Sequence, residues 1–319
     1  MDIKPLPKRI RSIRAKLIFN PSSGAASDSP VQLMDVISEM QAWKLVPEAH
    51  LVEPGSDLAS VVQDALKQGI RMFVVCGGDG TIDVVAGALA GTPAILGVIP
   101  TGTQNNVALS LGIPTDIPAA IAILRTGRRI KVDIGLAACG EIKRPFLEVC
   151  SVGLLSALFQ SADDIQHGNL TRIGDFLATL VASPPAEMHL ILDNKQNIHT
   201  PCHVVLVSNM PYIGPHYQVG PPDSFNDGLL DVLLFADLSK MELLGNVFQV
   251  AAGGLEDPRI RHYHVRRVDI ESHPALPVMA DGSALGAGPL RIQVRRHTLT
   301  VMVGEPVPQT LPFQSTSLE

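Results

Sequence analysis

The run Val74-Val75-Cys76-Gly77-Gly78-Asp79-Gly80-Thr81 combines residue types that can handle phosphate. Glycines after an apolar stretch let the chain turn sharply, and without a Cβ they bring backbone N–H groups close to anionic oxygens. Asp79 is placed to hold magnesium, directly or through water. From Ile82 to Leu89 apolar side chains recur at helical spacing, so a helix N-terminus is expected just behind the glycines, where its dipole favours phosphate. Phosphoryl transfer is the chemistry that suits this combination. The same four residues, Gly-Gly-Asp-Gly, also have a plainer reading as an ordinary turn.

Two further segments look like companions. Leu17-Ile18-Phe19 reads as a buried strand ending in Asn20-Pro21-Ser22-Ser23-Gly24. Ile95-Leu96-Gly97-Val98-Ile99 reads as another, ending in Pro100-Thr101-Gly102-Thr103-Gln104-Asn105-Asn106-Val107-Ala108. Ligands of parallel α/β sheets collect at the carboxyl ends of the strands, so the three polar loops are expected to converge on one crevice.

In this order, Asn-Pro-x-Ser-Gly, Gly-Gly-Asp-Gly-Thr and Pro-x-Gly-Thr-x-Asn-x-x-Ala resemble the diacylglycerol kinase catalytic family, which includes bacterial lipid kinases, sphingosine kinases and ceramide kinases. The resemblance continues through Val132-Asp133-Ile134-Gly135, Ser151-Val152-Gly153, Asn226-Asp227-Gly228-Leu229-Leu230-Asp231-Val232 and Ala280-Asp281-Gly282, and so covers nearly the whole chain. It implies ATP and magnesium as cofactors, with Asn20, Gly77, Gly78, Gly80, Thr81, Gly102, Thr103 and Asn105 around ATP and Asp79 at magnesium. It also implies Asp281 as the base that orients or deprotonates the attacking lipid hydroxyl, although Asp281-Gly282 alone reads as a hairpin turn. Bacterial members use the Asn-Asp-Gly turn for a structural magnesium site, which implies Asp227, with Asp223 and a backbone carbonyl, as metal ligands; a plain turn is the alternative.

Two positions depart from the family pattern. Ser283 follows Asp281-Gly282 where lipid kinases commonly have Glu, and Asn106 follows Asn105 where many have Asp. Neither side chain can supply the missing negative charge, which leaves Asp79, Asp281 and Asp83 as the acidic network and makes weakened or lost catalysis an alternative. A nucleotide or lipid sensor on the kinase scaffold is therefore a rival reading. A nicotinamide dinucleotide (NAD) kinase is another, against which the Asn20–Gly24 and Pro100–Ala108 loops count. Asn106 removes a partner for a substrate ammonium, which favours a diacylglycerol-type hydroxyl over a sphingoid base.

These loops need elements to position them. The first third of the chain alternates strand and helix, with apolar faces over residues 31–43, 57–68 and 117–124, as helices covering a parallel sheet require. Beyond Gly135, apolar or alternating runs at 187–193, 202–208, 228–235, 265–271 and 290–303 are separated by Pro, Gly, Asn and Asp. The expected fold is an α/β nucleotide-binding domain over residues 1–136, a parallel sheet with flanking helices. A mostly antiparallel, β-sandwich-like lipid-substrate domain over 137–319 follows, with its C-terminal segment able to return to the first. Helices expected at 154–164 and 170–181 fit either an acyl-chain pocket or simple core packing.

With 319 residues, 46% of them hydrophobic, the chain can bury two cores. A balance of 25 basic against 31 acidic residues argues against a general nucleic-acid binder. The expected partner is a lipid substrate at a membrane surface, with a homodimer open. Lys4, Lys8, Arg9, Arg11, Arg14 and Lys16 are not followed by a signal-type apolar run, and none of the apolar segments reaches the ~20 residues that span a bilayer. A cytoplasmic protein peripheral to the membrane is expected. Arg259, Arg261, Arg266 and Arg267 form a basic group that suits anionic headgroups or a solvated face. Cys76, Cys139, Cys150 and Cys202 read as reduced core residues. His262-Tyr263-His264 aligns two imidazoles if extended, and His199, Cys202 and His203 look loosely metal-like, but neither group shows a complete zinc ligand set.

Overall fold

The apolar runs of the first third become strands of a parallel sheet. In chain order the elements are β1 (Ile13–Phe19), α1 (Leu33–Ala42), β2 (Leu45–Leu51), α2 (Leu58–Lys67), β3 (Met72–Gly77), α3 (Asp79–Leu89), β4 (Ile95–Pro100), α4 (Asn106–Ser110) and α5 (Ile117–Thr126). The structure, a computed structural model, describes residues 11–24, 33–153, 156, 184–213, 217–236, 242 and 259–304. The chain divides into two units, the first comprising Met1–Lys131, Pro221–Asp223 and Leu299–Glu319 and the second Val132–Gly220 and Ser224–Thr298.

In the first unit β2, β1, β3 and β4 lie side by side, all parallel. Every residue of β3 is buried, as a strand covered on both faces requires. Leu17, Val74 and Ile99 pack with Val36, Met40 and Trp43 on one side of the core and with Ile121 and Leu124 of α5. Local chemistry starts the helices: the Asp57 carboxylate accepts from the amide of Ser60 at the head of α2, and Asp116 accepts from Ala119 at the head of α5. β2 is the strand that periodicity does not show, because Pro47, Glu48 and His50 interrupt its apolar pattern; it forms by pairing with β1 over seven positions at the sheet edge, where a proline is tolerated.

The second unit is built almost wholly of strands. They are β5 (Arg128–Cys139, inside this unit from Val132), β6 (Ile142–Phe146), β7 (Val149–Gly153), β8 (Ala186–Leu192), β9 (Gln196–Cys202), β10 (Val204–Ser208), β11 (Tyr212–Ile213), β12 (Tyr217–Gln218), β13 (Leu230–Phe235), β14 (Ile260–Val265), β15 (Arg267–His273), β16 (Pro277–Ala280), β17 (Ser283–Ala287) and β18 (Leu290–Val303). One antiparallel sheet runs β14-β13-β10-β7-β16-β17. In the other, β9 pairs β8, β8 pairs β15, and β15 pairs the first residues of β18, all antiparallel. Val152, Val207, Val232 and Val278 of the first sheet share one core with Leu190, Val268, Ile270 and Ile292 of the second, which is the packing of a sandwich. The expected α/β architecture and the antiparallel, sandwich-like second part are both present. The run expected over 265–271 is divided, with β14 ending at Val265 and β15 starting at Arg267. The helices expected at 154–164 and 170–181 lie outside the described residues.

From Leu299 onward β18 belongs to the first unit, and its Thr300 and Val301 run parallel beside Ile95 and Leu96 of β4. The sheet of the first unit thus gains a fifth strand from the end of the chain.

Candidate active site

The three loops of the first unit meet at the carboxyl ends of β1, β3 and β4. Asn20, directly after β1, donates from Nδ2 to Thr81 Oγ1 at 2.9 Å, and its Oδ1 accepts from the Ser22 amide at 3.0 Å. Ser23 Oγ lies 2.6 Å from Thr101 Oγ1, which links the loop after β1 to the one after β4. Gly78 and Gly102 touch backbone to backbone: a Cβ on Gly102 would stand 2.6 Å from Gly78 Cα, closer than side chains ever pack. Asn105 adopts a left-handed conformation, φ 56°, and clamps its own loop by accepting from Gly102 N at 2.9 Å and donating to Gly102 O at 2.7 Å. Thr103 is exposed.

Asp79 is the joint between the glycine turn and the third loop. Its Oδ2 accepts from Asn106 N at 3.1 Å and its Oδ1 from Val107 N at 3.2 Å, so the carboxylate caps the first turn of α4. α3 starts at the same residue, and its internal bonding begins with the amides of Thr81 and Ile82 on Gly78 O. The earlier amides of that turn are those a helix leaves for a ligand. Asp83 and Asn106 are both buried, at 3% and 4% exposed, and the Asn106 Oδ1 has no hydrogen-bond partner among the described residues.

Asp281 lies in the second unit. It and Gly282, with φ of 40° and 74°, are the two-residue loop between β16 and β17, with Ala280 paired to Ser283. The hairpin reading of Asp-Gly is therefore correct as local structure. The carboxylate is also enclosed by three successive amides: Leu147 N donates to Oδ2 at 2.6 Å, Val149 N to Oδ1 at 2.7 Å, and Glu148 N reaches both oxygens at 3.1 and 3.2 Å. Glu148, absent from the sequence reading, is 8% exposed. Its signal is a lone acid inside the apolar run Phe146-Leu147-Glu148-Val149-Cys150.

Two other polar residues of this unit had no role in the sequence reading, which named Asp133 only within Val132-Asp133-Ile134-Gly135 and did not name Asn209. Asp133 is fully buried, and its carboxylate accepts from Gly228 N at 2.7 Å and His297 N at 2.6 Å. Asn209, 1% exposed, donates to the carbonyls of Asp133 and Leu147 at 3.0 and 2.9 Å. The Asp227 carboxylate accepts from Leu229 N at 2.8 Å within its own turn, and burial pushes its pKa up from the usual carboxylate value. Asp223 falls with the first unit and is exposed. Among the described residues the one group of three metal-type donors is Asp231, His262 and His264, and neither Asp223 nor Asp227 is in it.

Several of the remaining candidates have structural partners. His199 stacks on His189, with ring centroids 4.0 Å apart, and Cys202 donates to Val204 O from a buried position. Two arginines of the basic group are engaged by acids: Arg259 with Glu242 at 2.7 Å and Arg267 with Asp269 at 2.7 Å. All four cysteines are buried, and burial pushes the thiols of Cys76 and Cys202 up to about 12.

The diacylglycerol kinase catalytic domain matches residues 14–137, and the YegS C-terminal NAD kinase beta sandwich-like domain matches residues 150–303. Similar curated proteins include the diacylglycerol kinase of Bacillus subtilis, 26% identical over 308 residues that cover 93% of this chain and 98% of that one. The diacylglycerol kinase of Staphylococcus carnosus is 24% identical, covering 89% and 93% of the two chains. A crystal structure of a diacylglycerol kinase from Bacillus anthracis aligns with a TM-score of 0.71 at 20% identity, over 93% of this chain and 99% of that one, and so shares the fold. With a catalytic-domain match over the three converging loops and a second match over the sandwich, this chain belongs to the diacylglycerol kinase catalytic family of lipid kinases.

Proposed function

We propose that this lipid kinase transfers the γ-phosphate of ATP to the hydroxyl of a diacylglycerol-type lipid at a membrane surface. The observation that carries the reading is the convergence of the loops after β1, β3 and β4 at the start of α3. These residues suit a nucleotide's phosphates. The first turn of α3 presents its amides, and Gly80 has nothing within 4 Å of where a Cβ would stand, so a phosphate can come against the backbone there. Bound ATP with magnesium supplies the transferable phosphoryl group and neutralises its charge. Asn20, Gly77, Gly78, Gly80, Thr81, Gly102, Thr103 and Asn105 would hold the nucleotide. Asp79 would face magnesium with the lone pairs that the amides of Asn106 and Val107 leave over.

Asp281 is the proposed base. Its enclosure by the amides of Leu147, Glu148 and Val149 fixes the carboxylate's direction, which proton abstraction needs. The same enclosure occupies lone pairs that a base would use, and this favours one second reading: a nucleotide or lipid sensor with little turnover. Ser283 points the same way, because it puts a hydroxyl after Asp281-Gly282 where the family commonly has a carboxylate. Ser283→Glu should raise turnover or lower the magnesium requirement.

The test follows labelled γ-phosphate from ATP into mixed micelles containing diacylglycerol, monoacylglycerol, sphingosine or ceramide. Phosphorylated diacylglycerol is the expected product, abolished by Asp79→Asn and reduced about 100-fold or more by Asp281→Asn. Full turnover in Asp281→Asn would overturn the base assignment. Tight ATP binding with no product from any of these lipids would move the reading to the sensor, or to a kinase with a different acceptor.

A further inference from the structure

The antiparallel pair β13–β14 gathers a set of donors that phosphoryl transfer does not use. In its register Asp231 stands directly opposite His264, and His262 is two residues along the same strand. Cross-strand partners and i, i+2 residues share a face, so the three side chains project together, away from Leu230, Val232 and Val265 in the sandwich core. His262 Nε2 lies 2.8 Å and His264 Nδ1 2.9 Å from the same oxygen, Asp231 Oδ1, and the three donor atoms lie within 4.8 Å of one another. The Asp231 side chain is 4% exposed and that of His264 43%, so the anionic end is buried while the imidazole end opens to solvent.

We propose that Asp231, His262 and His264 bind a divalent transition-metal ion of the zinc type. Two imidazole nitrogens aimed at one carboxylate oxygen must each carry a proton if they are only hydrogen-bonded. If both rings were also charged, two cations would stand with centroids 4.5 Å apart. One divalent ion replaces both protons and accepts a lone pair from each of the three residues. Two nitrogens and one carboxylate oxygen select zinc, cobalt or nickel over magnesium and calcium, which prefer oxygen alone.

A second observation lies beside the cluster. The hydroxyl of Ser224, a residue 2% exposed, is buried and has no hydrogen-bond partner among the described residues. A Cβ on Gly220 would stand 2.6 Å from Asp231 Oδ2 and 3.0 Å from this hydroxyl, so a glycine here leaves both groups room side by side. Asp227 adds negative charge within electrostatic reach of Asp231 and His264. Ser224 is thus available to a water that completes a fourth ligand position. β14 is the last strand of its sheet, and the ion ties this edge to β13. The role is that of a brace, distinct from the nucleotide loops and independent of the proposed reaction.

The full-length protein, stripped with a chelator, is titrated with zinc by calorimetry in excess magnesium and with cobalt by visible absorption. One zinc ion per chain that magnesium does not displace, a tetrahedral cobalt spectrum, and a zinc-dependent rise in melting temperature are expected. His262→Gln and His264→Gln should each weaken zinc binding at least about tenfold, and the double variant should lose the melting shift. The wild-type cobalt spectrum reports the site even where a variant folds poorly. Absence of saturable binding at one ion per chain, or binding unchanged in the double variant, overturns the proposal.

Discussion

Single residues set how closely this backbone can pack. Gly102→Ala would drive a methyl into Gly78 Cα and to 3.0 Å from Asn105 Oδ1, so the loops after β3 and β4 must part. A folded protein with ATP affinity lowered at least about tenfold is expected by calorimetry, equivalent to ~1.4 kcal/mol. Gly80→Ala meets nothing among the described residues, so the fold should hold, while its methyl enters the space proposed for the phosphate and should also lower ATP affinity. Asp133 shows the opposite kind of residue, one that holds structure by charge. Asp133→Ala would leave the amides of Gly228 and His297 without their acceptor and should cost about 2–4 kcal/mol in urea denaturation. The convergence of the three loops was legible because each follows an apolar strand of one parallel sheet and carries the small and polar residues of a strand end. Glu148, Asn209 and the role of Asp133 were not, since an isolated polar residue in an apolar run does not name partners that lie far away in sequence, such as His297 for Asp133.

At the scale of elements, periodicity located α1, α2 and α5 to within about two residues because each has one buried face. β9 was missed for a complementary reason. Its inward residues are Ile198, Thr200 and Cys202, too mild in hydropathy to stand out between polar neighbours, and its pairing with β8 supplies what its own sequence lacks. The β16–β17 hairpin rests on two left-handed residues. Gly282→Ala would place a side chain at φ 74° with no steric contact, so the cost is strain alone. A loss of about 1 kcal/mol in stability is expected, against a larger loss for Asp281→Ala, which also frees three amides. Were Gly282→Ala the more damaging of the two, the carboxylate enclosure would not be what holds the turn. His262 and His264 were read from the sequence as two aligned imidazoles without a third ligand; Asp231 lies about thirty residues earlier, and only the strand pairing brings it opposite.

For the molecule as a whole, the two cores seal every thiol. Cys76, Cys139, Cys150 and Cys202 are each buried, and burial raises all four above an ordinary thiol. A thiol reagent at pH 8 should label the native protein only slowly and the denatured protein at four sites; fast native labelling would show that one of these cores opens. None of the helices among the described residues is long and apolar enough to cross a membrane. The late strand β18 carries a consequence for biosynthesis. Until Thr300 and Val301 have left the ribosome, β4 presents an unpaired strand edge, and the first unit waits on nearly the whole chain for its last partner. A fragment cut at residue 137, where the catalytic-domain match ends, would keep every residue of the three converging loops and still expose that edge. Such a truncation should aggregate unless the segment 299–304 is supplied to it as a peptide.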